Sequence, residues 1–218
     1  MFAIGRRSLL LAASSLALAG TLAACNGGGG NGAAINEDDV VLGAADAPVT
    51  LMEYASSTCP HCAEFHETVW EQLKTTYIDT GKVRYVFREF PTAPEAVAVA
   101  GFQVARCGGA TPEQYMARLG EIFRQQRAIF ASGTMEGIRN KFVEIGGAAG
   151  LSQDQVIQCI TDESGAERVR RIVEAGSRDF QITGTPTFVL NGRKVEDAGV
   201  QTWEGMQRIL EAALAEHN

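Results

Sequence analysis

The chain has 218 residues, of which 45% are apolar and 21% charged, with a formal net charge of −7. This composition is that of a globular protein and excludes disordered and collagen-like chains. The acidic balance, which grows once the first 24 residues with Arg6 and Arg7 are set aside, excludes a surface built to grip phosphate backbones.

The first predicted element is an export signal at residues 1–24. Arg6 and Arg7 precede an apolar run at 9–24 that is broken by Ser14, Ser15, Gly20 and Thr21. Its sixteen residues are short for a bilayer span of about 20. A charged start, an apolar middle and a small-residue exit describe a secretory signal, so the chain is expected outside the cytoplasm. Leu22-Ala23-Ala24-Cys25 resembles the lipobox of bacterial lipoproteins, which makes Cys25 the candidate for lipidation and membrane anchoring. The alternatives are simple cleavage after Ala19 or Ala24 and, for the export route, a twin-arginine reading of Arg6-Arg7. Residues 25–39 form a glycine-rich tether, and the folded body is expected from Val40 onward.

Residues 49–54 (VTLMEY) read as a strand, and after a short polar turn a helix is predicted over 60–79. Pro60 suits its first turn, and Phe65, Val69, Leu73 and Tyr77 line one face at spacings of four. Gly81 ends it, and residues 82–90 (KVRYVFREF) form a second strand. Together these make a βαβ unit with parallel strands and a right-handed crossover. Between 91 and 181 no strand is expected. Capping boxes at Thr111 to Gln114 and Ser152 to Gln155, with breaks at Gly108-Gly109, Ser132-Gly133 and 146–150, divide this stretch into four or five helices. Strands return at 187–190 (TFVL) and Lys194-Val195 around an Asn191-Gly192 hairpin turn, followed by an amphipathic helix over 202–215.

Four cysteines remain in the body when Cys25 is set aside, and disulfides persist in an exported protein. The two-residue gap favours pairing Cys59 with Cys62, which leaves Cys107 with Cys159. The chemistry is expected at Cys59-Pro60-His61-Cys62. One sulfur at a helix start attacks or leaves, and the other resolves the mixed disulfide. The positive end of the helix favours a thiolate on Cys59, and His61 adds to that effect when cationic or donating a hydrogen bond.

CPHC at a strand-helix junction, the long helical interruption and Gly184-Thr185-Pro186-Thr187-Phe188 opening the next strand resemble the DsbA-like branch of the thioredoxin superfamily. Asp46-Ala47-Pro48-Val49-Thr50 and Arg88-Glu89-Phe90-Pro91 extend the match over most of 40–215. The resemblance implies an α/β thioredoxin-like fold with a helical insertion between a βαβ half (40–90) and a cis-proline ββα half (182–218), the insertion occupying 91–181. It implies that Pro186 is cis and faces the CxxC, and that Thr185 offers backbone hydrogen bonds to a peptide substrate. It further implies an oxidant of reduced, unfolded secreted polypeptides, and a quinone-linked membrane partner of the DsbB type that reoxidises it. The pair Cys107 and Cys159 matches a second cysteine pair found in alphaproteobacterial members. A structural cross-link is the expected role, with a redox relay or two free buried thiols as alternatives.

Glu53 lies six residues before Cys59 on a strand expected to be covered on both faces, where a desolvated carboxyl is suited to passing protons to and from Cys62. It matches a buried acid of the resembled family; a surface glutamate is the competing reading. His66, one turn past Cys62, is read as a surface or packing residue in preference to a proton carrier, and His217 as a solvated tail. No cofactor is expected. Metal binding competes weakly, because a structural zinc site needs a second close cysteine pair. A copper-delivery protein of this fold resembles CxxxC, a spacing absent here. A disulfide isomerase or reductase of the same fold is the nearer alternative, although the short tether leaves no room for an upstream dimerisation domain, and a monomer is expected.

Overall fold

The computed structural model describes residues 1–2 and 34–217. The expected signal, Cys25 and most of the tether lie outside the described residues. Five strands form one sheet: β1 (Val40–Leu42), β2 (Val49–Ala55), β3 (Val83–Glu89), β4 (Thr187–Leu190) and β5 (Arg193–Lys194), in the spatial order β1-β3-β2-β4-β5. β2 and β3 are parallel, as the crossover rule requires, and the other pairings are antiparallel. β1 and β5 are too short to carry an alternating pattern of their own, and β1 was not expected as a strand.

Alternation along β2 divides the core. Leu51 and Ala55 point into the larger apolar cluster, which holds Phe65, Leu73, Tyr85, Phe87 and Phe102. Met52 and Tyr54 point to the opposite face, where they meet Ile172 and Phe180 of the helix Glu163–Phe180. Both faces are therefore covered, and the central strand is buried along almost its whole length.

The helix expected over 60–79 is three segments: α1 (Pro60–Thr68), α2 (Trp70–Leu73) and a π turn at Lys74–Ile78. Apolar residues spaced by four overrun the 3.6-residue period by about 40° at each step, so a regular helix rotates them off the sheet. The break at Val69 (φ −118°) and the wider π turn absorb that drift, and Val69, Leu73, Tyr77 and Ile78 all stay buried.

The insertion contains six helices among the described residues: α3 (Glu95–Arg106), α4 (Pro112–Arg124), α5 (Gln126–Phe130), α6 (Met135–Ala148), α7 (Gln153–Ile160) and α8 (Glu163–Phe180). The expectation of four or five missed the separation of α4 from α5, which occurs at Gln125 with neither glycine nor proline. Both capping boxes form as expected. Gly146 and Gly147 do not break α6, which runs on to Ala148 before Gly150 turns at φ +84°. A Cβ on Gly146 would come within 2.4 Å of Val156 Cγ2, so this glycine lets α7 pack close. The final helix, α9 (Trp203–Ala215), is capped by Thr202 and returns to the larger cluster through Met206 and Leu210.

Two buried charge networks tie the insertion and the tether to the sheet. Arg88 holds Asp39 at 2.8 Å through both Nε and Nη2 and donates to Tyr54 Oη at 2.9 Å. Its neighbour Glu89, on the other face of β3, accepts from Arg106 of α3 at 2.8 Å, Tyr115 of α4 at 3.0 Å and Arg168 of α8 at 3.2 Å. Each carboxylate has its cations at hand, which is the condition for burying such a group.

Candidate active site

Cys59 is the N-cap of α1, with β-region backbone angles, and its sulfur accepts from the backbone N–H of Cys62 at 3.4 Å. Three local features put it there: β2 ends at Ala55, the Ser56-Ser57-Thr58 segment turns, and Pro60 fills the first helical position, where a missing N–H costs nothing. Ser56 Oγ accepts from Thr92 N at 3.0 Å, while Gln126 Nε2 of α5 donates to the carbonyls of Ser57 at 2.8 Å and Cys59 at 3.0 Å. These bonds fix the approach to the cysteine, and no local sequence signal marked Gln126 for that task.

Both sulfurs are free thiols, and both are buried, Cys62 completely. Pro60 and His61 lie outward, and the exposed His61 side chain has Glu64 Oε2 at 3.6 Å. The Thr185–Pro186 bond is cis and lies against the cysteine: Cys59 Sγ donates to the Thr185 carbonyl at 3.3 Å. Thr185 Oγ1 is buried and without a partner while Cys59 keeps its proton, and it is the side-chain donor beside the Cys59 thiolate once that proton leaves.

The two thiols titrate in opposite directions. Hydrogen bonding from the Cys62 thiol, aided by the Thr185 side chain and the backbone N–H groups of Cys62 and His61, outweighs burial and lowers the Cys59 thiol to about 5. Burial pushes the Cys62 thiol well up, and the nearby charges of Cys59 and Glu53 push it further. At neutral pH the site therefore holds one thiolate, at the outer sulfur, and one protonated inner thiol.

Glu53 is fully buried in the middle of β2, opposite Phe87 of β3 and Phe188 of β4. Its Oε2 accepts from Tyr85 Oη at 2.5 Å, and its Oε1 lies 3.1 Å from Nε2 of His66. Burial raises the Tyr85 phenol well above its ordinary range, so the hydroxyl remains a donor. His66 is not the surface residue that was one of its expected readings. Its side chain is only 4% exposed and packs its ring on Phe123 and Trp70, at 4.6 and 5.2 Å between centroids. Cys62 and His66 are four apart on α1 and so share one face, which meets the β2 face carrying Glu53. That spacing was the available signal for the pairing.

Cys107 at the end of α3 and Cys159 in α7 form a disulfide across 52 residues. Among the described residues no group of three or more histidine, cysteine or carboxylate side chains could hold a metal ion. Nor is any described helix long and apolar enough to cross a membrane. The terminal His217 lies outside the regular structure.

The thioredoxin family model matches residues 35–212, and the chain belongs to that family. Its fold, helical insertion included, is similar to that of solved DsbA structures. Wolbachia pipientis α-DsbA1 superposes with a TM-score of 0.72 at 24% identity over 84% of this chain and 94% of that one. BdbD from Bacillus subtilis superposes at 0.69 and 19% identity, over 84% of this chain and 97% of that one. A Rickettsia bellii protein named "Putative protein-disulfide oxidoreductase" is 32% identical over 168 residues, which are 77% of this chain and 62% of that protein. The chain thus spans about three-fifths of the length of this relative.

Proposed function

We propose that the protein is a thiol:disulfide oxidoreductase that introduces disulfides into reduced, unfolded exported polypeptides through Cys59 and Cys62. The observation that carries this reading is the pairing of an N-cap cysteine, whose thiol is lowered to about 5, with the carbonyl preceding cis-Pro186 at 3.3 Å.

In the oxidised enzyme a substrate thiolate attacks Cys59 Sγ, forms the mixed disulfide and breaks the Cys59–Cys62 bond. The electron pair passes to Cys62 Sγ, which takes up a proton. The substrate's second thiolate then attacks its own sulfur in the mixed disulfide and releases Cys59 as a thiolate, leaving the substrate oxidised and the enzyme reduced. A stabilised Cys59 thiolate favours this direction: each unit of thiol pKa lowered is about 1.4 kcal/mol, or about 30 mV for a two-electron couple. Pro60 keeps the first helical turn free of a competing donor, and His61, exposed beside the sulfur, adds positive charge when protonated.

An extended substrate segment pairs with the backbone of Thr185, in the manner of a strand added to a sheet edge. A groove of about 590 Å³, lined by His61, Phe65, Val69, Gln201 and Trp203, lies next to the cysteine loop and receives apolar side chains of that segment. The protein acts outside the cytoplasm as a monomer, anchored by acyl chains on Cys25, and is reoxidised by a DsbB-like membrane partner. Cys107–Cys159 serves as a structural staple.

Purified protein lacking residues 1–25 is expected to restore disulfides to a reduced, unfolded substrate, and Cys59→Ser to abolish the activity. Full activity in that variant would overturn the mechanism. Rescue of a scrambled substrate faster than oxidation of a reduced one would replace oxidase with isomerase.

A further inference from the structure

Cys62 must gain a proton each time the active disulfide opens, yet its sulfur has no exposed surface. Glu53, the acid beside it, is equally sealed, and its two oxygens are occupied by Tyr85 and His66. Of these partners Tyr85 is completely buried, with its phenol held protonated. His66 differs. It lines a cleft of about 1280 Å³ between α1 and α4, together with Pro60, Ala63, Trp70 and Phe123. His66 is thus the one of these two partners of Glu53 that also lines a cleft open to the surface.

Resting on the proposed exchange activity, we infer that His66 is a positioning residue that holds Glu53 and carries its protons between the buried site and the α1–α4 cleft. When the Cys59–Cys62 bond opens, the Glu53 carboxyl gives its proton to Cys62 Sγ. The carboxylate then takes the Nε2 proton of His66 at 3.1 Å while Nδ1 of the ring takes one up from water in the cleft, so the ring stays neutral throughout. On reoxidation the same transfers run in reverse. Every proton delivered to sulfur is replaced from water, and the electron pair moves only between sulfurs. An imidazole suits this task because its two nitrogens exchange donor and acceptor roles near neutral pH.

The charged surroundings are mixed. From the sheet, Glu53 and Tyr85 face the ring side. On the helical wall carrying His66 the cleft has Glu64, Glu67, Glu71 and Lys74. Across it stand Glu113 and Arg124 of α4 and Arg127 of α5. Acidic groups thus outnumber basic ones around the cleft.

The test is single-turnover reduction of the oxidised protein by a dithiol peptide, followed by stopped flow from pH 5 to 9, for wild type, His66→Gln and His66→Ala. His66→Gln keeps a hydrogen bond to Glu53 but cannot relay a proton. It is expected to slow the step about tenfold near neutral pH and to flatten its pH dependence. Cys59 thiolate formation, read at 240 nm in the reduced protein, is expected to stay in place. His66→Ala opens a hole onto the cleft, and millimolar imidazole is expected to restore at least half of the lost rate. Wild-type and His66→Gln profiles that superimpose, with no imidazole effect, would overturn the relay while leaving the exchange activity intact. Absence of any Cys59-dependent exchange in wild type would overturn both. If His66→Ala does not fold, the His66→Gln profile decides alone.

Discussion

Cys59 Sγ and the carbonyl of Thr185, 126 positions apart in the chain, lie 3.3 Å apart in the fold. The contact forms because β2 and β4 are adjacent antiparallel strands whose ends meet the start of α1. It places the outer sulfur, which the substrate attacks in the proposed mechanism, beside the Thr185 backbone proposed to pair with a substrate segment.

The lowered Cys59 thiol makes the reduced protein's stability depend on pH. A thiol that titrates at about 5 when folded, against 9.0 as its ordinary value, adds stability that is full above about pH 9 and lost as pH falls toward 5. The oxidised protein has no such group. Urea unfolding of both forms at pH 5 and pH 8 should therefore show the reduced form gaining on the oxidised form with rising pH. Thr185→Val removes one of the groups that hold the thiol low and should move the 240 nm thiolate titration upward. An unchanged titration would remove Thr185 from the account.

Glu53→Gln keeps the side chain's shape and some bonding to Tyr85 and His66 but removes the transferable proton. We expect a folded protein whose exchange rate falls on the order of 100-fold, with an altered pH-rate profile. Loss of folding in place of rate would mean that Glu53 is only a structural anchor. Glu53→Ala is expected to be worse for stability, by about 1 to 3 kcal/mol, because it leaves the Tyr85 hydroxyl unpaired in the core.

The chemistry is legible in the sequence wherever it is local. A proline in the first turn and two capping boxes each act within a few residues, and each forms as its pattern implies. The CxxC lies at the strand–helix junction, although its expected pairing is open here, with both sulfurs free thiols. The meeting of Pro186 with Cys59 depends on strand order, and only the likeness to DsbA-type proteins pointed to it. The His66–Glu53 pair needed two things at once, the face of α1 that carries Cys62 and the face of β2 that looks at it. The four-residue spacing from Cys62 marks the first, and nothing local marks the second. The break at Val69 was hidden because apolar spacing of four reads as a helix whether or not its turns are uniform. α5 was hidden because its boundary at Gln125 uses ordinary residues.

The Cys107–Cys159 disulfide joins the end of α3 to α7, whereas the reacting sulfurs sit at the start of α1, so removing it is expected to cost stability and leave exchange in place. In the chain-entropy model a loop of this length is worth about 4 kcal/mol. The Cys107→Ala, Cys159→Ala double variant should unfold at lower urea concentration by a corresponding shift, with a single-turnover rate within about twofold of wild type. A rate loss larger than the stability loss explains would make the second pair a participant in the chemistry.

The most direct test is the reduction potential of Cys59–Cys62, measured by equilibration with glutathione while Cys107–Cys159 stays closed. A thiolate stabilised at the outer sulfur predicts a potential near the oxidising end of the family, about −120 mV, well above the −270 mV or so of thioredoxin. A value at the thioredoxin end would contradict the oxidase and show that the Cys59 thiolate is not held as the geometry requires.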